Sequence, residues 1–178
     1  VRCRDRRCFG GRQLTPSSAF RLGLAIAVVV VGLDQASKAV LIEFLNDLNF
    51  EPIRITGFFN IVMVWNRGVS FGLLGSGEEL TRWLLTAFAL AVACGLLWWI
   101  RKQERRFAVV AMALVAGGAV GNAIDRIVYG AVADFFDVHV AGWSWPAFNI
   151  ADSAITIGVV MLVIDALLAP KSDRKVQP

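Results

Sequence analysis

The stretch FAVVAMALVAGGAVGNAIDRIVY, residues 107–129, determines the class of fold that this sequence encodes. About 20 helical residues cross the roughly 30 Å hydrocarbon core of a bilayer, and this stretch has the necessary length and apolar character. Its polar residues Asn122, Asp125 and Arg126 lie near one end. Because polar groups are costly in lipid, the pattern predicts a membrane-spanning helix with a packing or functional site near that end.

The composition of the whole chain also indicates a membrane protein. Hydrophobic residues make up 57% of the 178 residues, charged residues make up 18%, and the mean hydropathy is +0.62. This composition is too apolar for an ordinary soluble domain. The net charge of +4 does not indicate a nucleic-acid partner, because the basic residues form short runs beside apolar segments.

Three further segments are long and apolar enough to span a bilayer, at residues 20–41, 80–100 and 147–169. The first has the basic flank of a secretory signal peptide, but its apolar character resumes after DQASK at residues 34–38. We therefore predict an all-α membrane protein with four transmembrane helices within residues 20–169. A mobile basic tail (1–19) precedes them and a C-terminal tail (170–178) follows.

Lys and Arg residues predict the orientation of these helices. Six lie in the N-terminal tail or at its junction with the first span, four in RKQERR (residues 101–106) and three in the C-terminal tail. The first and third connections, with the start of the second span, hold three. The positive-inside rule then places both termini in the cytoplasm and the first and third connections outside.

The first connection, residues 51–77, is rich in β-branched and aromatic residues and punctuated by glycine. Unpaired strands cannot lie in lipid, so this segment predicts a small extracytoplasmic β-rich region at the membrane surface.

The polar residues of the spans fall in the motifs DQASK, GNAIDR (residues 121–126) and FNIADS (residues 148–153). At a rise of 1.5 Å per residue, antiparallel threading brings all three motifs to the outer half of the bilayer. VADFFD, residues 132–137, follows the third span at the same level and adds Asp134. We therefore expect a site that opens on the outer face near the lipid headgroups.

Each motif also has a purely structural interpretation. Asp34 and Lys38 lie four residues apart on one helix face, so they can neutralise each other as a scaffold. The polar residues of GNAIDR can link helices, beside a small-residue face that permits close helix approach. That face consists of Gly117, Gly118 and Gly121.

FNIADS permits two interpretations. Pro146 shortly before it marks a helix start, so Asn149 and Asp152 can be an N-cap and its capping-box partner. A cap does not require a second acid across the gap, however, and VADFFD supplies one in Asp134. Both interpretations stay open from the residues alone.

GVSFG, residues 68–72, matches the Gly-x-Ser-x-Gly pattern of a serine hydrolase. That nucleophile sits on a strand-to-helix turn of a soluble sheet and needs a histidine base, so we do not expect Ser70 to be a nucleophile. The single histidine, His139, is expected in a solvated loop. Cys3, Cys8 and Cys94 have no metal-ligand spacing, so neither a metal site nor a disulfide is expected.

Five motifs together resemble those of the lipoprotein signal peptidases, or signal peptidase II, of bacterial inner membranes. They occur in the order DQASK, NRGVSFG (residues 66–72), GNAIDR, VADFFD and FNIADS. The resemblance implies an intramembrane aspartyl endopeptidase that removes the signal peptide of prolipoproteins on the N-terminal side of a diacylglyceryl-modified cysteine. We expect a monomer, with membrane lipid as a partner and no cofactor.

The resemblance also implies roles for individual residues. The catalytic pair falls on Asp134 and Asp152. The substrate-binding or supporting residues fall on Asp34, Lys38, Asn66, Gly68, Asn122, Arg126 and Asn149. The family's usual loop motif is closer to Asn-x-Gly-Ala-Ala-Phe, so this chain departs from it at Val69 and Ser70.

General chemistry agrees with an aspartate pair. Two carboxyls at one site cannot both ionise cheaply, so one keeps a proton while the other acts as a base toward water. The N-terminus of the fourth helix favours the ionised form of Asp152, and Asp134 lacks that help. We therefore expect Asp152 to be the more acidic member of the pair, which titrates as a unit.

Two other classes of function are alternatives. A transporter or channel also carries charges inside its spans, but a path needs polar residues in both halves of the membrane. A purely structural membrane subunit would leave the matched acid pair unexplained.

Overall fold

The computed structural model describes residues 14–68, 78–140 and 142–168. Its described residues form four helices, all long and apolar enough to cross a membrane, and one four-stranded antiparallel sheet. The helices are α1 (Pro16–Asp47), α2 (Glu78–Ile100), α3 (Arg106–Val128) and α4 (Ile150–Leu168). The strands are β1 (Ile53–Arg54), β2 (Phe59–Asn66), β3 (Val132–Val140) and β4 (Trp143–Ser144). The predicted fold class is confirmed.

Helix α1 is longer at both ends than the predicted span of residues 20–41. At its start the Thr15 hydroxyl accepts a hydrogen bond from the Ser18 backbone N–H (3.3 Å), and Pro16 occupies the first helical turn. At its other end Leu45 is fully buried in a cluster with Ala133 and Phe135. The helix therefore continues past the bilayer length because the sheet covers its last turns.

Helix α3 is the centre of the bundle. Of its spanning window 72% is buried, against 17–22% for the other three helices. The predicted small-residue face explains the close packing: a Cβ on Gly117 would lie 2.9 Å from the Ala27 carbonyl oxygen of α1. A Cβ on Gly118 would overlap the Ala151 carbonyl oxygen of α4. Glycine at these positions allows α3 to touch α1 and α4 simultaneously.

The sheet has the order β1-β2-β3-β4 and lies where α1 ends and α4 begins, which we call the sheet end of the bundle. Strand β2 comes from the first connection, whereas β3 follows α3 directly. Their register pairs Val64 with Asp134 and Asn66 with Val132, after a bulge between Ile61 and Val64. The predicted β-rich region is confirmed, and VADFFD is one of its strands.

Helix α4 begins at Ile150 instead of residue 147. Phe148 still pairs with Phe136 of β3, with backbone hydrogen bonds of 3.1 Å and 2.9 Å between the two residues. This pairing keeps the chain extended up to Asn149, so the helix starts only afterwards.

Candidate active site

Two carboxyl groups, one buried and one partly buried, come together between β3 and α4. Asp134 projects from β3 and is 1% exposed, and Asp152 lies in the first turn of α4. Asn149 stands between them: its side-chain Nδ2 donates to Asp134 Oδ1 (2.7 Å), and its backbone N–H donates to Asp152 Oδ2 (3.2 Å). One residue therefore contacts both acids.

Asn149 is also the cap of α4. Its side-chain oxygen accepts a hydrogen bond from the Asp152 backbone N–H (2.9 Å), while the Asp152 carboxylate accepts from the Asn149 backbone N–H. This reciprocal pair is a capping box built from Asn and Asp. The cap and the contact with a second acid, which the sequence left as alternatives, are therefore both present.

Two more asparagines donate to the acids from neighbouring elements. Asn122 of α3 donates to Asp152 Oδ1 (2.7 Å), and Asn66 of β2 donates to Asp134 Oδ2 (3.1 Å). The Gly68 backbone N–H in turn donates to the Asn66 side-chain oxygen (2.9 Å). Gly68 has φ +100°, a left-handed conformation that glycine adopts readily.

A buried charge cluster lies next to the acids. The Lys38 ammonium is 2.7 Å from Asp34 Oδ2 and 2.7 Å from Asp125 Oδ2, and all three side chains are at most 2% exposed. The second oxygen of Asp34 accepts the backbone N–H of Ala151 (3.0 Å) in the first turn of α4. Asp34 therefore links the cluster to the helix that carries Asp152.

Asp125 and Gln35 also belong to this cluster; the sequence marks them as polar residues of the spans, but the motif resemblance assigns them no role in the site. Asp125 accepts the Gln35 side-chain amide (2.9 Å) and also the Ala133 backbone N–H (3.2 Å), directly beside Asp134. The available signal was the spacing, since Asp125 follows Asn122 by three residues and so lies on the same helix face.

Arg126 brings a second positive charge to the site. Its guanidinium interacts most strongly with the charge of Asp152, and one Nη donates to the Asn122 carbonyl oxygen (3.3 Å). Its Nε is buried and has no hydrogen-bond partner within the described residues. The charge cluster and the acid pair together contain four aspartates but only two cations, Lys38 and Arg126. This excess of carboxyl groups favours a proton on one of them.

The environment of Asp134 indicates where that proton lies. Burial, and next the charge of Asp152, raise the pKa of Asp134 to about 7. Hydrogen bonds from Asn66 and Asn149 act in the opposite direction because they favour the carboxylate. The raised pKa favours the protonated form of Asp134 relative to an ordinary aspartate.

The remaining predicted features lie away from the acids. Ser70 falls outside the described residues. His139 lies in β3 instead of a loop, with Nδ1 3.4 Å from Asp137 Oδ2. Within the three described ranges, no group of three His, Cys, Asp or Glu side chains is placed to hold a metal ion. Cys94 is exposed on α2.

Comparison with known proteins gives a consistent result. Residues 26–168 match the family described as signal peptidase (SPase) II. A lipoprotein signal peptidase of Methylorubrum extorquens is 47% identical over 160 residues, which cover 88% of this chain and 94% of that protein. One of Methylobacterium radiotolerans is 47% identical over 148 residues, covering 83% and 86%.

The fold is also similar to solved structures. A bacterial membrane enzyme solved by the in meso method at 2.3 Å resolution superposes with a TM-score of 0.69 at 30% identity, over 88% of this chain and 95% of that one. A second, at 1.9 Å resolution, gives a TM-score of 0.71 at 30% identity, over 84% and 95%. With four membrane-spanning helices and this sequence match, the chain belongs to the signal peptidase II family of membrane peptidases.

Proposed function

We propose that this protein is an intramembrane aspartyl endopeptidase that removes the signal peptides of bacterial prolipoproteins. Cleavage occurs on the N-terminal side of a diacylglyceryl-modified cysteine. The observation that supports the aspartyl mechanism is the pair Asp134 and Asp152, joined through Asn149, with the pKa of Asp134 raised to about 7.

In the proposed reaction the two carboxyls share one proton. Asp152, in the positive field of the α4 N-terminus, is the carboxylate that takes a proton from the attacking water. Asp134 carries the shared proton and donates it to the oxygen of the scissile carbonyl as water adds, which gives a gem-diol. When this intermediate collapses, Asp152 gives the proton taken from water to the leaving amine, the C–N bond breaks, and Asp134 recovers a proton from a gem-diol hydroxyl. Asn66, Asn122 and Asn149 hold the two carboxyls in place.

We propose that the sheet end faces the outside of the cell, with both termini in the cytoplasm. Cysteines introduced at Gln103 should react with reagent only from the cytoplasm, and cysteines at Gly142 only from outside. Labelling of Gln103 from outside would contradict this orientation. The substrate's acyl chains would then stay in the outer leaflet while the peptide reaches the acids.

A transporter is less well supported, because within the described spans few polar side chains lie in the half of the bundle interior opposite the sheet. The exception is Asp165 of α4, which the sequence interpretation passed over and which pairs with Arg105 (2.8 Å) at the start of α3. The buried residues of the first half of α3 are all apolar: Ala108, Val109, Ala111, Met112, Ala113, Val115, Ala116 and Gly117. They form no polar path.

The decisive experiment measures cleavage per folded molecule with a lipidated precursor and its unlipidated counterpart. Asp134→Asn and Asp152→Asn should each abolish cleavage while the protein stays folded, because an amide keeps the size of the side chain but cannot exchange the proton. Ser70→Ala should keep substantial activity, and a chelator should have no effect. An active Asp134→Asn or an inactive Ser70→Ala would refute the mechanism, and equal turnover of both precursors would refute the substrate.

A further inference from the structure

A cavity of about 460 Å³ opens at the sheet end of the bundle and is not used by the proposed reaction. The end of β2, the first turns of α2 and the turn after α3 line it, through Trp65, Arg67, Glu79, Arg82 and Tyr129. This volume lies within the range of small-molecule sites.

The cavity and the acids lie on opposite sides of the β2–β3 ribbon. Adjacent residues of a strand point to opposite faces. Asn66 directs its amide to Asp134 (3.1 Å), so its neighbour Trp65, which pairs with Ala133, points the other way. The cavity is therefore a separate site.

The polar part of the cavity combines two guanidinium groups with one carboxylate. Arg82 is held in place because its Nε donates to the Arg126 carbonyl oxygen (2.6 Å) and one Nη to the Ile127 carbonyl oxygen (3.0 Å). Arg67 and Glu79 also line the cavity. Guanidinium groups suit phosphate, and a carboxylate suits an ammonium group.

The apolar part is an aromatic pair. The rings of Trp65 and Tyr129 lie 5.4 Å apart, and the two residues are 40% and 50% exposed. α2 and α3 have 23 residues each, or about 34 Å at the helical rise, so their ends reach the headgroup region of a roughly 30 Å core. Trp and Tyr favour that region because one end of each side chain is apolar and the other polar.

We propose that this cavity binds the phosphoethanolamine headgroup of a membrane phospholipid. The guanidinium groups of Arg67 and Arg82 hold the phosphate, Glu79 holds the ammonium group, and the aromatic pair covers the glycerol region and faces the cation. The site requires neither the protease activity nor a particular orientation of the bundle, since both leaflets contain headgroups.

The test is native mass spectrometry of the full-length protein in detergent, titrated with short-chain phosphatidylethanolamine, phosphatidylglycerol or phosphatidylcholine. The wild type should bind phosphatidylethanolamine most tightly, because only that headgroup carries an ammonium group that can donate to Glu79. Arg67→Gln should weaken this binding about tenfold, as expected for one charge-assisted contact. Glu79→Gln should reduce the affinity for phosphatidylethanolamine to that for phosphatidylglycerol.

The matched control is Arg54→Gln, which removes an exposed arginine of the same sheet that does not line the cavity. Its lipid binding should equal that of the wild type. Equal weakening in Arg67→Gln and Arg54→Gln would overturn the proposal, as would equal affinity for all three lipids. Displacement of the lipid by precursor peptide, or by free phosphoethanolamine at the same concentration, would also overturn it, because the cavity would then serve peptide or a soluble compound.

Discussion

Asn149 offers the sharpest test of the site, because it performs two separable functions. Its side-chain oxygen caps α4, while its side-chain Nδ2 donates to Asp134 Oδ1 at 2.7 Å. Asn149→Ser keeps an oxygen that is among the best N-caps but removes the amide donor. Asn149→Ala removes both the capping oxygen and the amide donor. The difference in stability between the two variants therefore measures the contribution of the N-cap.

The expected magnitudes follow from these contacts. A hydrogen bond to a charged group is worth about 1.5–3 kcal/mol, and about 1.36 kcal/mol corresponds to one pKa unit. The bond from Asn149 favours ionised Asp134, so its loss raises the pKa of Asp134 further above its value of about 7. Asn149→Ala should also be less stable than Asn149→Ser by about 1 kcal/mol, the usual worth of an N-cap.

The sign of the effect on activity follows from the proposed reaction. The active form has protonated Asp134 and ionised Asp152, so the rate falls as the pH rises through the pKa of Asp134, near 7 in the wild type. A higher pKa of Asp134 moves this fall in rate, the alkaline limb of the pH profile, to higher pH. The shift should be the same in Asn149→Ser and Asn149→Ala, because both lack the amide donor. The maximal rate should fall as well, because Asp134 is held less firmly.

The assay is the pH dependence of cleavage of a lipidated precursor in detergent, together with the unfolding temperature of each variant. An alkaline limb of Asn149→Ser that coincides with that of the wild type would show that the amide does not act on Asp134. If Asn149→Ser and Asn149→Ala unfolded at the same temperature, the capping role would be refuted.

Two further predictions concern the scaffold. Lys38→Met should destabilise the fold by about 3–5 kcal/mol, because it leaves the buried carboxylates of Asp34 and Asp125 without their cation. Adding Asp125→Asn should restore part of the folded yield, and a Lys38→Met protein as stable as the wild type would refute the ion cluster. Gly118→Ala should lower the unfolding temperature, since its Cβ would overlap the Ala151 carbonyl oxygen, at about 1–3 kcal/mol for overpacking. Gly32→Ala, with open space around it, is the control and should show no loss.

The sequence predicts the helices well because the bilayer imposes a minimum apolar length that is visible in the residues themselves. The proximity of Asp134 and Asp152 at the same end of the bundle follows from the same counting. The partner of β3 could not be predicted, because strand pairing joins Val64 to Asp134 across the whole of α2 and α3. Composition indicates that strands form but does not specify which segments pair.

Only one of the two ion pairs of Lys38 could be predicted from the sequence, for a similar reason. Asp34 and Lys38 are four residues apart on one helix, so their pairing follows from local geometry. The second partner of Lys38, Asp125, comes from a different helix, and its place depends on the register between α1 and α3. That register is set by the close approach at Gly117, which becomes visible only when the helices are packed.

Asn66, Asn122 and Asn149 all direct their side-chain nitrogens toward the acid pair Asp134 and Asp152, and their hydrogen-bond partners explain why. An asparagine side chain has an oxygen that only accepts and a nitrogen that only donates. The Gly68 backbone N–H occupies the oxygen of Asn66, and the Asp152 backbone N–H occupies that of Asn149. Each amide nitrogen is thereby left to face a carboxylate.

Asn122 follows the same rule, and its side-chain oxygen accepts from two donors, Asn149 Nδ2 (3.2 Å) and the Lys38 ammonium of the ion cluster. The Lys38 ammonium, which can only donate, lies 3.4 Å from the Asn122 side-chain oxygen, and the Asn122 nitrogen is 2.7 Å from Asp152 Oδ1. Lys38, which the sequence predicts as scaffold, therefore acts together with Asn149 to direct the amide nitrogen of Asn122 toward Asp152. This coupling requires side chains from α1, α3 and α4 at once, so no single motif contains it.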